Sequence, residues 1–276
     1  MKRSPAASAL ALVRPRNLLM AAAGVAVGGF LALGRLALPA ALLWAMGSAL
    51  GLGASGNAAN DLFDVEADRI NQPLRPLAAG ELSRRSAMTI AGVAGGLGLW
   101  AAWWVSLTLF WLGLAALAAM LAYSPLFKAR GLMGNVTVAV VASLPLVYGA
   151  VAAGGWRAGV VPAVLAAFLH LAREVVKDLE DVPGDLAIGR RTLPIELGPD
   201  AGFLAAAGTL AMFVPLALIP WAAGWYGWRY GLVVAALDVG ALALIWRLAH
   251  RRLAGARAAL KAAMVVGLVA LLWDRL

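Results

Sequence analysis

Long apolar runs that carry almost no charge alternate along the chain with short basic segments. A transmembrane helix needs about 20 mostly apolar residues, and these runs supply nine such helices if the longest run turns near Ser106. The pattern therefore predicts an all-α integral membrane protein with nine transmembrane helices. The predicted spans are 17–34, 36–60, two within 86–127, 131–156, 158–172, 201–228, 230–246 and 262–273.

The composition excludes several other classes of protein. Hydrophobic residues make up 63% of the chain and charged residues 13%, whereas soluble domains are about 25% charged. The chain has no cysteine, which excludes disulfides, thiolate metal sites and a cysteine nucleophile. Its net charge of +9 is explained by basic cytoplasmic loops, so we expect no nucleic-acid partner.

The basic residues also predict the orientation in the cell membrane. Of the 23 lysines and arginines, 19 fall at the N-terminus or in loops that follow even-numbered spans. Because basic loops stay in the cytoplasm, we expect a cytoplasmic N-terminus and a C-terminus outside. We expect one polytopic domain, 1–276. Its cytoplasmic functional loops are expected near 57–85, 123–135 and 173–200.

Twelve of the 14 acidic residues lie in only two short segments, 61–81 and 174–200. In the first, Asp61, Asp64 and Asp68 are three and four positions apart, which places them on one face of a helix. Asn57 falls on the same face. A random solvated loop explains such a pattern poorly.

The second acidic segment repeats the same spacing at a constant offset, which suggests an internal duplication. Its members are Asp178, Asp181 and Asp185. Glu174 takes the position that Asn57 has in the first segment. Since proline disrupts a helix interior, Pro183 and Gly184 are expected to end or kink the helix before Asp185.

Clustered carboxylates repel one another unless a cation lies among them. Oxygen ligands without histidine or cysteine suit Mg²⁺, with Mn²⁺ as the alternative ion. Magnesium sites often include substrate phosphate oxygens, and basic side chains nearby are suited to bind such oxygens. With an apolar bundle behind the charges, the pattern indicates a polyprenyl diphosphate substrate at the cytoplasmic mouth. The neighbouring basic residues are Arg69, Arg75, Lys128, Arg130, Arg173, Lys177, Arg190 and Arg191.

Over nearly its whole length the chain resembles the UbiA superfamily of intramembrane prenyltransferases. Two motifs carry the resemblance, N-D-x-x-D-x-x-x-D at 60–68 and D-x-x-D-x-x-x-D at 178–185. The family implies nine helices around a central cavity. Within it, the similarity is greatest to the digeranylgeranylglyceryl phosphate synthases. The segments that show this are DVEADRINQPLRP, YSPLFKARGLMGNV and REVVKDLEDVPGDLAIGRRTLPIELG.

This resemblance implies Mg²⁺-dependent transfer of a geranylgeranyl group from its diphosphate to the free hydroxyl of geranylgeranylglyceryl phosphate, a lipid acceptor that bears a phosphate. Prenylation of an aromatic acceptor, in quinone or pigment synthesis, is the alternative within the same class. A membrane transporter is the alternative from another class. Apart from the bilayer, no obligate protein partner is expected.

The motif match and the helix-face argument together give the candidate site residues. The expected metal ligands are Asn60, Asp61, Asp64, Asp68, Asp178, Asp181 and Asp185. The expected substrate-binding residues are Asn57, Arg69, Arg75, Tyr123, Lys128, Arg173 and Lys177. The expected catalytic residues are Asp64, Asp181 and Lys128. His170 is a candidate general base, with helix packing as the alternative, and Asp238 is expected to make an internal hydrogen bond.

Overall fold

The computed structural model describes residues 3–123, 126 and 131–276. Over these ranges the chain forms eleven α-helices and no strand. The helices are α1 (Pro5–Val13), α2 (Pro15–Leu33), α3 (Ala40–Asn71), α4 (Arg84–Val105), α5 (Leu107–Ala122), α6 (Leu132–Ala152), α7 (Arg157–Ala187), α8 (Leu193–Glu196), α9 (Pro199–Ala222), α10 (Trp228–Ala249) and α11 (Ala256–Trp273).

Seven of the helices in the described ranges are long and apolar enough to cross a membrane, namely α2, α4, α6, α7, α9, α10 and α11. They indicate a multi-pass membrane protein, but the expected count of nine spans is not confirmed. Helix α5 is apolar but has only 16 residues, about 24 Å of helix against a hydrocarbon core of about 30 Å. In α3, glycine and serine dilute the apolar residues, and the C-terminal part is charged.

The turn expected near Ser106 is confirmed. Helix α4 ends at Val105, and Ser106 has an extended backbone between the two helices. Its hydroxyl accepts a hydrogen bond from the backbone N–H of Leu109, which satisfies one of the free donors at the start of α5. The long uncharged run is therefore divided by a serine cap.

The first acidic segment lies on the C-terminal part of α3. This helix begins at Ala40 and runs without interruption to Asn71. The loop expected near 57–85 therefore begins only at Gln72. The three- and four-residue spacing of the aspartates matches the helix period. The motif therefore forms the helical segment that follows the apolar part of α3.

The second acidic segment lies on α7, which runs from Arg157 to Ala187 with Pro183 inside it. The loop expected near 173–200 begins only after Ala187. Of the end or kink expected before Asp185, the end is wrong, because the helix continues to Ala187. A hydrogen-bonding side chain from α3, described below, binds the backbone on both sides of the proline.

Glycines allow α2 and α6 to approach closely at the centre of the bundle. A Cβ atom on Gly28 would lie 1.9 Å from the backbone oxygen of Leu146, and one on Gly149 would lie 1.8 Å from that of Val25. Close packing through small residues is usual between helices in lipid. Both helices contribute to two apolar clusters, one shared with α3, α4 and α5 and the other with α7, α9, α10 and α11.

Candidate active site

A large cavity opens between the helices. Its volume is about 970 Å³, and its walls come from α2, α3, α5, α6, α7, α9, α10 and α11. This is near the upper end of the range of about 300–1,000 Å³ that is usual for small-molecule sites. The cavity is thus large enough for a long organic substrate.

The polarity of the cavity wall changes along α7. Lys177, Glu174 and His170 line the cavity near the C-terminal end of this helix. Leu169 and Pro162 line it further toward the N-terminus. The wall contributed by α3 changes in the same direction, from asparagine to leucine and alanine. The cavity therefore has a charged mouth and an apolar interior, which suits a ligand with an anionic head and a hydrocarbon tail.

The aspartates of the first motif are buried beside this mouth, outside the described lining of the cavity, and are neutralised by guanidinium groups. Asp61 contacts Arg14 and lies 3.4 Å from Arg75 Nη1, and the same nitrogen donates to Asp68 at 2.6 Å. Burial raises the pKa of Asp68, although Arg75 acts in the opposite direction. Asn60 donates from Nδ2 to Asp64 at 3.0 Å. All three aspartates are less than a tenth exposed.

The second motif lies near the first one, and its aspartates are likewise absent from the described lining of the cavity. Asp178 is buried and accepts a hydrogen bond of 3.0 Å from Asn135 on α6. Asp185 is also buried and accepts from Arg190 at 3.0 Å. Asp181 is only half-buried. The second motif therefore resembles the first in the burial of its aspartates, although only two of its three aspartates are buried.

One arginine joins the two motifs. Arg190 donates to Asp64 on α3 and to Asp185 on α7, and its side chain is 11% exposed. Burial opposes its charge, but the two carboxylates outweigh burial and raise the pKa of Arg190. Because one guanidinium reaches both carboxylates, the two motifs lie close enough to act on one bound anion.

The donor atoms of these motifs fit a hard divalent cation, although they are not assembled as a metal site. Among residues 3–123, 126 and 131–276, no three acidic or histidine side chains are grouped tightly enough to hold an ion. The carboxylates bind arginines instead. One buried oxygen, Asp185 Oδ2, has no hydrogen-bond partner among the described residues. Buried carboxylate oxygens without sulfur or imidazole are the ligands that Mg²⁺ prefers.

Most of the expected substrate-binding residues are brought together at the cavity. Asn57, Arg75, Tyr123, Arg173 and Lys177 all line it. The amide of Asn57 donates to the backbone of the α1–α2 junction. Burial and three nearby acidic side chains raise the pKa of Tyr123 well above its usual value. Its phenol therefore remains a neutral hydrogen-bond donor.

One expected substrate-binding residue, Arg69, is not brought to the cavity. Arg69 pairs with Glu66 at 2.7 Å, and both side chains are about 60% exposed. Within the described part of the chain, neither residue lines the cavity. Lys128 lies outside the described residues, as does part of the loop expected near 123–135.

Several residues at the mouth were not among the expected site residues. The sequence places Arg14, Arg190 and Lys261 in basic segments, where they look like ordinary cytoplasmic anchors. Asn135 belongs to a segment that resembles the family, but its spacing gives no sign that it contacts Asp178. Their place at the mouth is apparent only from the structure, because it depends on contacts between segments that are distant in sequence.

The hydrogen bond predicted for Asp238 is not found in the described part of the structure. It is buried near the middle of α10, and neither carboxylate oxygen has a hydrogen-bond partner among the residues that the structure describes. The expected internal hydrogen bond is therefore wrong. The side chain is also absent from the described lining of the cavity.

The two motif helices are linked by a single amide side chain. Asn71, the last residue of α3, donates from Nδ2 to the backbone oxygen of Asp181 at 2.8 Å. Its Oδ1 accepts from the backbone N–H of Gly184 at 2.9 Å. These are the residues on either side of the Pro183 position, where the regular helix hydrogen bonds are disturbed. A Cβ atom on Gly184 would lie 2.4 Å from Asn71 Nδ2, so glycine is needed for this contact.

We expect Asn71→Ala to lower the free energy of unfolding by about 1–3 kcal/mol, because it leaves partly buried backbone groups unpaired. Prenyl transfer should fall as well, since the two motifs lose a link. Thermal unfolding in detergent, read from tryptophan fluorescence, measures the first effect. Thr89→Ala is the control, because Thr89 only makes a local, exposed hydrogen bond to Arg85. Equal stability of the two variants would contradict the role given to Asn71.

Comparison with known proteins gives consistent matches. Residues 18–270 match the model of the UbiA prenyltransferase family. The digeranylgeranylglyceryl phosphate synthase of Natronomonas pharaonis is 37% identical over 271 residues, which cover 96% of this chain and 95% of that protein. The digeranylgeranylglyceryl phosphate synthase of Methanopyrus kandleri is 39% identical over 95% of this chain and 97% of that protein.

Solved structures show the same fold. A structure reported for digeranylgeranylglyceryl phosphate synthase superposes with a TM-score of 0.80 at 24% identity and covers 98% of both chains. A UbiA homologue from Archaeoglobus fulgidus, bound to GPP and Mg²⁺, has a TM-score of 0.72 at 21% identity and covers 96% of this chain and 99% of that chain. The all-helical arrangement is therefore shared over nearly the whole chain.

Proposed function

Because the chain belongs to the UbiA prenyltransferase family, we propose that it transfers a geranylgeranyl group from its diphosphate to the free hydroxyl of geranylgeranylglyceryl phosphate. The product is the doubly alkylated ether lipid. The relatives named for this reaction are 37% to 39% identical to the chain over most of its length. The observation that carries the proposal is the charged mouth with two facing aspartate motifs above an apolar cavity.

The reaction exchanges one carbon–oxygen bond for another. The bond between the allylic carbon and the diphosphate breaks, a bond to the acceptor oxygen forms, and the acceptor hydroxyl loses its proton. Negative charge develops on the departing diphosphate, so cationic groups fixed beside it lower the barrier. The apolar walls exclude water, which would otherwise capture the allylic cation.

The residues at the mouth divide into two proposed roles. We assign the metal to the two motifs, with Asp64 and Asp181 as the catalytic pair. The structure of a relative bound to GPP and Mg²⁺ supports a divalent cation, which would neutralise the diphosphate when bound. The proposed metal ligands are Asn60, Asp61, Asp64, Asp68, Asp178, Asp181 and Asp185.

The diphosphate oxygens are assigned to Arg75, Lys177 and Tyr123 at the mouth, and to Lys128 from the sequence alone. Lys177 pairs with Glu174 at 3.4 Å, and Arg75 pairs with two motif aspartates. Arg75 therefore already lies beside carboxylates that would hold the metal, and Lys177 lies within electrostatic range of Asp178 and Asp181. Arg69 is withdrawn from this set because its side chain points away with Glu66.

We further propose that 1–276 acts as one unit with its mouth at the cytoplasmic face of the cell membrane. The excess of basic residues on that side supports this orientation. A cytoplasmic mouth also gives direct access to diphosphate substrates, which the bilayer core excludes.

The test uses membranes that contain the expressed protein, labelled geranylgeranyl diphosphate, Mg²⁺ and geranylgeranylglyceryl phosphate. Mass spectrometry should detect the doubly alkylated ether, and a chelator should abolish it. Hydroxybenzoate and homogentisate are supplied in parallel as aromatic acceptors. If the protein transfers the geranylgeranyl group to either of these and forms no ether product, the acceptor proposed here is wrong and the proposed donor is correct. No transfer to any acceptor would contradict the proposal.

A further inference from the structure

The mouth of the cavity carries a second group of charged side chains, separate from the aspartate motifs. Arg16 lies in the first turn of α2, Arg173 on α7, and Arg257 and Lys261 in the first two turns of α11. All four line the cavity. We call these four residues the basic cluster.

The members of the basic cluster lie within electrostatic range of one another. Lys261 is repelled by Arg173, Arg257 and Arg16. Helix α11 packs on both α2 and α7, so the three helices bring like charges to one place. Like charges in one place repel one another even where Arg16 and Lys261 are exposed to solvent, and an anion bound among them would relieve the repulsion.

The charge of the cluster is only partly neutralised by the protein. Arg173 contacts Glu174, which it shares with Lys177, and Arg257 pairs with Glu180 at 3.0 Å. Arg16 and Lys261 contact no carboxylate anywhere in the described ranges. They leave two positive charges uncompensated at the cavity wall.

Two helix ends add to this positive potential. Helices α2 and α11 both begin at the cluster, and neither has an acidic residue in its first turn. A helix N-terminus carries a partial positive charge that is normally offset by acidic side chains. Here basic side chains take those positions, so the potential favours an anion.

The basic cluster is distinct from the proposed diphosphate site. Glu174 lies between the two, because it binds Lys177 on one side and Arg173 on the other. Lys177 experiences the field of Asp178 and Asp181 in the second motif. Arg173 instead faces Lys261. The mouth therefore offers places for two anionic groups above one apolar cavity.

We propose that the basic cluster binds the phosphate of the lipid acceptor. This inference rests on the proposed function, in which the acceptor bears a phosphomonoester and the donor a diphosphate. A phosphomonoester carries a charge of about −1.5 to −2 at pH 7, which matches the two uncompensated cations. With its phosphate held there, the acceptor directs its hydroxyl toward the donor at the motifs.

The first experiment measures equilibrium binding in phosphatidylcholine nanodiscs with EDTA, so that no transfer occurs. The ligands are geranylgeranylglyceryl phosphate and geranylgeranylglycerol, which lacks the phosphate. Lys261→Gln and, separately, Arg16→Gln should weaken binding of the phosphate ligand about tenfold to a hundredfold, the usual effect of losing one contact to a charged group. Binding of geranylgeranylglycerol should not change.

The control variant is Arg85→Gln. Arg85 is the second residue of α4 and is exposed, as Arg16 is the second residue of α2, but it does not line the described cavity. It should leave the binding of both ligands unchanged. Equal weakening of both ligands, or no weakening in either cluster variant, would overturn the assignment.

Kinetics separate this inference from the proposed function. In the cluster variants the KM for the phosphate acceptor should rise and the KM for geranylgeranyl diphosphate should stay constant. If the wild-type protein transfers no geranylgeranyl group to this acceptor, the proposed function fails. If it does so and the variants behave like wild type, only the basic cluster is wrongly assigned. An effect that depends on added phosphatidylglycerol and is the same for both ligands would assign the cluster to bilayer headgroups instead.

Discussion

Replacing Asp64 with asparagine should lower prenyl transfer by at least about 100-fold, because it removes a ligand of the cation that would stabilise the departing diphosphate, and losing one such stabilising group commonly costs that much or more. Asp64 is almost completely buried and lies opposite Asp185, with Arg190 between them. Asparagine keeps the size of the side chain and removes its charge. The loss should appear in turnover and in metal-dependent donor binding, and thermal unfolding measures how much the broken ion pair with Arg190 lowers stability.

Glu66→Gln is the matched control for this variant. Glu66 lies two positions away on the same helix, is about 60% exposed and pairs only with Arg69 among the described residues. Its activity should stay near that of the wild type. Initial rates of ether formation, with thermal unfolding measured in parallel, provide the comparison. Near-normal turnover of Asp64→Asn would contradict the assignment of the first motif to the metal.

Replacing Arg190 with glutamine should produce a loss of stability that depends on magnesium. Breaking a buried ion pair typically costs about 3–5 kcal/mol, since it leaves a charge without a partner. Here Asp64 and Asp185 would both lose the contact with the guanidinium of Arg190, and each is about 2% exposed at its side chain. In EDTA the variant should unfold at a markedly lower temperature. Excess Mg²⁺ should restore part of the loss, because a cation again lies between the two motifs.

Arg251→Gln is the control for this measurement. Arg251 pairs with Asp200 at 2.8 Å, and both side chains are nearly 70% exposed. Exposed ion pairs contribute about 0–1 kcal/mol, so this variant should be close to wild type with or without Mg²⁺. If Arg190→Gln also proved insensitive to Mg²⁺, the two motifs would not share a cation site.

Features set by local periodicity could be predicted from the sequence. The spacing of Asp61, Asp64 and Asp68 matches the helix period, and all three are buried on one helix. Ser106 divides the longest apolar run because a serine is suited to cap a helix. The same reasoning from helix periodicity also excludes Arg69 from the substrate-binding residues. One residue corresponds to about 100° of rotation, so Arg69 lies on a different face from Asp68.

Features that depend on distant contacts could not be predicted. The proline rule indicated an end or a kink in the second motif helix, but Asn71 of another helix binds the backbone around Pro183 and the helix does not end there. Arg190 appears in sequence as one more basic loop residue, yet it contacts Asp64, which is 126 positions away.

The central claim is that the two aspartate motifs together hold a divalent cation against the donor diphosphate. It is tested most directly with Mn²⁺ and geranylgeranyl thiodiphosphate, a donor analogue that reacts slowly. Electron–nuclear double resonance would then measure the coupling between Mn²⁺ and phosphorus in the purified protein. The account predicts a clear phosphorus coupling in the wild-type protein and its loss in both Asp64→Asn and Asp178→Asn. An unchanged coupling in either variant, or no bound Mn²⁺ in the wild-type protein, would contradict it.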